Sequence, residues 1–147
     1  MKRILLIMAV LLLAACSREA EPIAYGSDSC HYCKMTIVSK AHAAQQVTQK
    51  GKQYKYDAIE CMLRDNLENH KDVEMAIMLV ADFQEPGTMI STSNATFLIH
   101  ESISSPMGEN LAAIKDSSEP VDLEDPKAYS WSQLKHHFLN EGTLSHQ

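Results

Sequence analysis

Cys30-His31-Tyr32-Cys33-Lys34-Met35 puts two thiols and a thioether within six positions, the densest run of sulfur in the chain. Three chemistries use such a run: thiol–disulfide exchange, a zinc knuckle and a copper(I) site. A c-type haem would need histidine directly after the second cysteine, and Lys34 stands there. A structural zinc site takes four ligands, usually from two Cys-x-x-Cys pairs. Here there is one pair, with Cys61 and a histidine left to complete a set. An exchange dithiol belongs at a helix N-terminus, where the dipole lowers the thiol pKa. Met35-Thr36-Ile37-Val38 instead favours a strand after the pair. Copper(I) is soft and prefers thiolate and thioether ligands. In an extended segment Cys33 and Met35, one residue apart, leave the same face and can grip one ion together. The residue chemistry therefore favours copper(I), with zinc and exchange as alternatives.

The elements that must position these sulfurs are legible from periodicity and turn chemistry. Residues 35–56 read as a strand followed by a hairpin, with Gly51-Lys52 at the turn and Tyr54 and Tyr56 on one face. Asp57 and Glu60 have the spacing of a capping box for a helix over 58–69. Ile59, Met62, Leu63 and Leu67 form its apolar stripe. Cys61 points almost opposite that stripe, which a cysteine serving only as core filler would not do. Residues 73–83 read as a strand, Glu85-Pro86-Gly87 as a turn, 88–91 as a short strand and 95–103 as another strand. A short helix is expected over 109–115, an acidic linker over 116–125, and a last helix starting at Asp125-Pro126 with Trp131, Leu134 and Phe138 on one face. Strands followed by a helix, twice, predict an α+β fold of two related strand-and-helix halves, ββαβ-like.

The chain's start bears on its compartment. Met1-Lys2-Arg3 is basic, and Ile4 to Leu13 is an apolar run of ten residues. At 1.5 Å per residue that run makes about 15 Å of helix, half a bilayer core, so residues 1–15 read as a signal peptide. Leu13-Ala14-Ala15-Cys16 resembles a lipobox, with Cys16 as the lipid attachment and residues 16–27 as lipidated cysteine and tether. Ser17 rather than Asp after the cysteine leans towards the outer membrane. Residues 28–147 then form a single domain. Removing residues 1–15 leaves 132 residues, enough for one core. It also removes Lys2 and Arg3, taking the formal charge from −6 to −8. Such an acidic domain does not hold a polyanion, so nucleic acid is excluded as a partner. Cys30, Cys33 and Cys61 remain, an odd number that cannot all pair within the chain.

Six of the eight methionines lie beyond residue 15, and most read as core filler. His31 lies within the sulfur motif, as a third ligand or as a solvent-facing spacer. The other histidines are scattered, and the adjacent His136 and His137 point about 100° apart on a helix, too far to chelate. Neither a Ser-His-Asp arrangement nor a glycine-rich phosphate loop is evident.

Taken together, Cys-His-Tyr-Cys-Lys-Met-Thr-Ile, His42-Ala43-Ala44-Gln45, Tyr56-Asp57-Ala58-Ile59-Glu60-Cys61-Met62 and Ser105-Pro106-Met107-Gly108 resemble the NosL family over about residues 25–116, with the lipobox in addition. That resemblance implies an organomercurial lyase-like fold. It further implies a membrane-anchored periplasmic copper(I) chaperone, not an enzyme, delivering copper for maturation of nitrous oxide reductase with a copper-type ABC transporter. Cys33 and Met35 match the family's Tyr-Cys-x-Met element and Met107 its Pro-Met-Gly element, so these three are the implied ligands. Cys30 and Cys61 depart from the single-cysteine pattern of many members, as further ligands or as a disulfide with each other. The alternative from another class is a lipid-anchored thiol–disulfide oxidoreductase using Cys30 and Cys33.

Overall fold

The computed structural model describes residues 18–144. The expected signal segment and Cys16 lie outside the described residues. A four-stranded antiparallel sheet is built from β1 (Ala44–Thr48), β2 (Gln53–Tyr56), β3 (Met75–Ala81) and β4 (Met89–Ser91), in the order β2-β1-β3-β4. Helix α1 (Ile59–Glu68) connects β2 to β3. A three-stranded antiparallel sheet follows, from β5 (Ala95–Ile99), β6 (Leu111–Lys115) and β7 (Lys127–Tyr129), in the order β6-β5-β7. Helix α2 (Trp131–Leu144) closes the described chain. The fold is α+β, as the sequence predicts.

β1 is buried along its whole length because strands flank it on both sides. On β2 the alternation places Tyr54 and Tyr56 inward, on one face as expected. One core joins Tyr56, Ile59, Met62, Leu63, Phe97 and Leu134, so it spans both sheets and both helices. Burying side chains of this size stabilises by about 1.5–3 kcal/mol each. The segment expected as a tether lies against the edge strand: Gln53 Nε2 donates to the Glu19 carbonyl and Lys55 Nζ to that of Pro22. Ile23 and Tyr25 pack on the core from there.

Several local expectations change. The helix expected over 109–115 is strand β6, every residue of which pairs with β5, from Leu111 opposite Ile99 to Lys115 opposite Ala95. Leu-Ala-Ala-Ile-Lys is short and apolar, and the open side of β5 overrides its helical propensity. The last helix starts at Trp131 rather than at Asp125-Pro126, because residues 127–129 first pair with β5 on its other side. Its capping box is Ser130–Gln133: the Gln133 N–H donates to Ser130 Oγ, and the Ser130 N–H to Gln133 Oε1. The strand expected to begin at Met35 is reduced to a single bridge, Ser29 to Thr36, and the one expected to reach Ile103 stops at Ile99.

Candidate metal centre

The sulfur motif folds as a tight loop instead of an extended strand. The Cys30 N–H donates to the Met35 carbonyl at 2.7 Å, and the Lys34 N–H to the Cys30 carbonyl at 3.1 Å. Lys34 takes a left-handed backbone, φ 67°, to make that reversal. Its ammonium donates to the His31 carbonyl inside the turn. The loop is fastened to β2 by the His31 N–H donating to the Lys55 carbonyl and by the Lys55–Asp28 ion pair, each at 2.7–2.8 Å. Cys33 and Met35 therefore do not share one face of a strand, and the extended-segment argument for their pairing does not hold.

The loop aims its thiols at the start of α1. Cys30, Cys33 and Cys61 have sulfurs within 4.8 Å of one another, and all three are free thiols. Two sulfurs bonded to one ion at about 2.3 Å stand roughly 4 Å apart, so the cluster has the spacing of a shared-ion site. Cys61 lies in the first turn of α1, off the apolar stripe as the sequence shows, yet it is fully buried because it faces the loop. Cys30 is also buried, while Cys33 is partly open to solvent.

The three thiols titrate as a unit. A hydrogen bond from Cys61, aided by the backbone N–H groups of Asp57 and Cys33, draws Cys30 down to about 5 against the cost of burial. That same bond to Cys30, together with burial, pushes Cys61 up. Burial raises Cys33. The hydrogen bond between Cys30 and Cys61 thus favours the charged form of Cys30 and the protonated form of Cys61.

Asp57 and Glu60, expected as a capping box, do other work. The residue before the helix is Ala58, with no side-chain cap. Asp57 Oδ1 accepts from the Val38 N–H at 3.1 Å, pinning the chain that leaves the sulfur loop. Glu60 is fully buried and accepts from the Met107 N–H at 3.3 Å. That bond ties the Ser105–Gly108 turn, closed by the Gly108 N–H to the Ser105 carbonyl, onto the helix residue next to Cys61. Gly108, with φ 82°, supplies the left-handed corner. Desolvation raises the Glu60 pKa. Sequence spacing alone does not separate a cap from a cross-link, because both place an acid in the first helical turn.

Met35 and Met107 remain at the surface, 60% and 39% exposed, on the two loops that flank the buried thiols. The structure thus gathers the three cysteines and leaves both thioethers in solvent. His31 packs its ring on Tyr54, centroids 4.6 Å apart, and burial lowers its pKa.

Three thiols at the mouth of a helix on a two-sheet α+β scaffold define a protein built to hold a soft metal ion. The NosL family model matches residues 24–124, and the chain belongs to that family. Its fold is similar to the crystal structure of the copper chaperone NosL from Shewanella denitrificans, with a TM-score of 0.56 at 17% identity. The match covers 67% of this chain and 80% of that one. No curated protein matches the chain.

Proposed function

We propose that the protein is a copper(I) carrier, anchored to the membrane through Cys16 and facing the periplasm, that supplies copper for maturation of nitrous oxide reductase alongside a copper-type ABC transporter. The reading rests above all on the three sulfurs held within 4.8 Å. Family membership and the likeness in fold to a copper chaperone point the same way. Ser17 favours the outer membrane, and no helix among the described residues is long and apolar enough to cross a bilayer.

The geometry suits capture and release. The Cys30 thiolate attracts the ion, which then displaces protons from Cys33 and Cys61. Buried walls shield two of the sulfurs from oxidants, while Cys33 is the approachable one, where exchange to a partner's ligands begins. Met35 and Met107, exposed on the flanking loops, act as thioether ligands that close over the ion as it arrives.

The same features weigh against a dithiol catalyst. Exchange needs an accessible, low-pKa attacking thiol. Here the low-pKa thiol, Cys30, is 1% exposed, and the accessible one, Cys33, is raised. The protein carries metal and does not turn over substrate. To test this, strains with Cys33→Ser would be grown on nitrous oxide with limiting copper, and the copper content of the reductase measured. Low copper that recovers on adding copper is expected. Loss that added copper leaves uncorrected, but a small-molecule disulfide restores, would move the reading to oxidoreductase.

A further inference from the structure

A groove of about 370 Å³ runs between the end of α1, the start of β3 and α2. Leu67, Met75, Met78 and Trp131 line it with apolar surface, and Lys71 and Lys135 line it with positive charge. It is remote from the thiols: Cys61 lies in the first turn of α1, and Leu67 is six residues on, about 9 Å along the axis. We propose that this groove rests on the anionic lipid surface of the membrane that anchors the chain, leaving the thiols at the other end of α1. This presupposes the anchoring through Cys16.

The start of the described chain leads to the groove. Arg18 Nη1 donates to Gln49 Oε1 at 3.0 Å, and the Gln49 N–H donates to the Glu74 carbonyl at 3.3 Å. Glu74 stands between Val73 and Met75, both of which line the groove. Cys16 is two residues before Arg18, and two residues of chain span at most about 7 Å. A lipid on Cys16 therefore keeps this corner of the domain next to the bilayer.

Charge selects the face that approaches. The chain carries a formal net charge of −6, so anionic lipid repels most of its surface. Among the described residues no carboxylate lines the groove; Asp72 and Glu74 flank it without lining it. Lys71 and Lys135 make no ion pair among the described residues, which leaves both ammonium groups for lipid phosphates. Val73 and Leu139, 41% and 47% exposed, add apolar contact at the same place. Trp131 is half-buried there, and tryptophan favours the headgroup level of a bilayer.

Trp131 is the only tryptophan of the chain, so its fluorescence reports on the groove directly. The full-length protein, reconstituted by its anchor, is compared in two kinds of vesicle, phosphatidylcholine alone and phosphatidylcholine mixed with phosphatidylglycerol, each with brominated acyl chains. Bromine quenches only a tryptophan that reaches the lipid. We expect strong quenching in the anionic vesicles and little in the neutral ones. Lys71→Ser combined with Lys135→Ser should lower the ratio of docked to undocked protein about 25-fold, at about fivefold per lysine near an anionic surface. Lys115→Ser, on the second sheet, should leave it unchanged. Equal quenching in both vesicles overturns the proposal, as does quenching that survives the double variant. Shielding of Trp131 from aqueous iodide that grows with protein concentration, without bromine quenching, would assign the groove to a second copy and overturn it too. Flotation of the same samples separates the two readings. Protein that floats with anionic vesicles unquenched loses the groove contact and keeps its anchor, whereas protein that does not float loses the anchor and this proposal with it.

Discussion

The two sheets share a plan and differ in what joins their second and third strands. In the first, β1 lies between β2 and β3; in the second, β5 lies between β6 and β7. Chain order and spatial order agree, as two related halves require. Between β2 and β3 the chain makes α1, whose first turn carries Cys61. Between β6 and β7 it runs from Asp116 to Pro126 with no α-helix, carrying Asp116, Glu119, Asp122, Glu124 and Asp125. The first connection offers a buried thiol in the first turn of a helix, within reach of the two thiols of the sulfur loop. The second offers only solvated acids. The sheet plan is therefore a scaffold, and the site follows the helix. What the second half brings to that helix is the Met107 backbone N–H, which donates to Glu60 beside Cys61.

That asymmetry can be broken in graded steps, starting in the first half. Cys33→Ser and Cys61→Ser should each weaken copper(I) binding by more than about 100-fold, beyond the 10–100-fold typical of outer-shell changes. Affinities measured against a competing copper(I) chelator decide it, and a change under about threefold in either variant would place the site elsewhere. Met107→Leu comes next. A neutral thioether is a weaker ligand than a thiolate, so a loss of about tenfold is expected, with the fold intact. An unchanged affinity would mean that the first half holds the ion alone.

Glu60 tests the tie between the halves by pH. Burial raises its pKa, so the stability it contributes as a neutral acid is complete below the ordinary 4.5 and is lost as pH rises through the raised folded value. Glu60→Gln keeps an oxygen for the Met107 N–H and removes the titration. Thermal melts should show the variant gaining stability over wild type at pH 7 and little at pH 4. A gain that is the same at both pH values would show that Glu60 is not held neutral by its surroundings. The smallest effect is expected at Met75→Leu and Met78→Leu on β3, which should change stability by less than about 1.5 kcal/mol and leave copper binding alone.

The sequence was most informative where side-chain type and local pattern agreed. The tyrosine alternation of β2, the stripe of α1 and the outward turn of Cys61 from that stripe all carried through to the fold. It was least informative where partners lie far along the chain. Asp57 and Glu60 have the spacing of a cap, but their partners are Val38 and Met107, 19 and 47 residues away. Ser130 and Gln133 make the capping box of the last helix, five residues beyond the Asp125-Pro126 start signal. Leu111 to Lys115 is a strand because β5 has an open side, a property of the sheet and not of those five residues. In the site, the gathering of Cys30 and Cys33 was legible from spacing, but their relation to Met35 was not. Lys34 turns the chain through a left-handed conformation that a lysine seldom takes.

The central claim is that the buried thiols form one soft-metal site selective for copper(I). Its most direct test is titration of the reduced full-length protein with copper(I) under a competing chelator, with excess zinc present. The account predicts that one copper(I) binds per chain through the thiols and that zinc does not displace it. Retention of zinc by the thiols with no copper bound would contradict it.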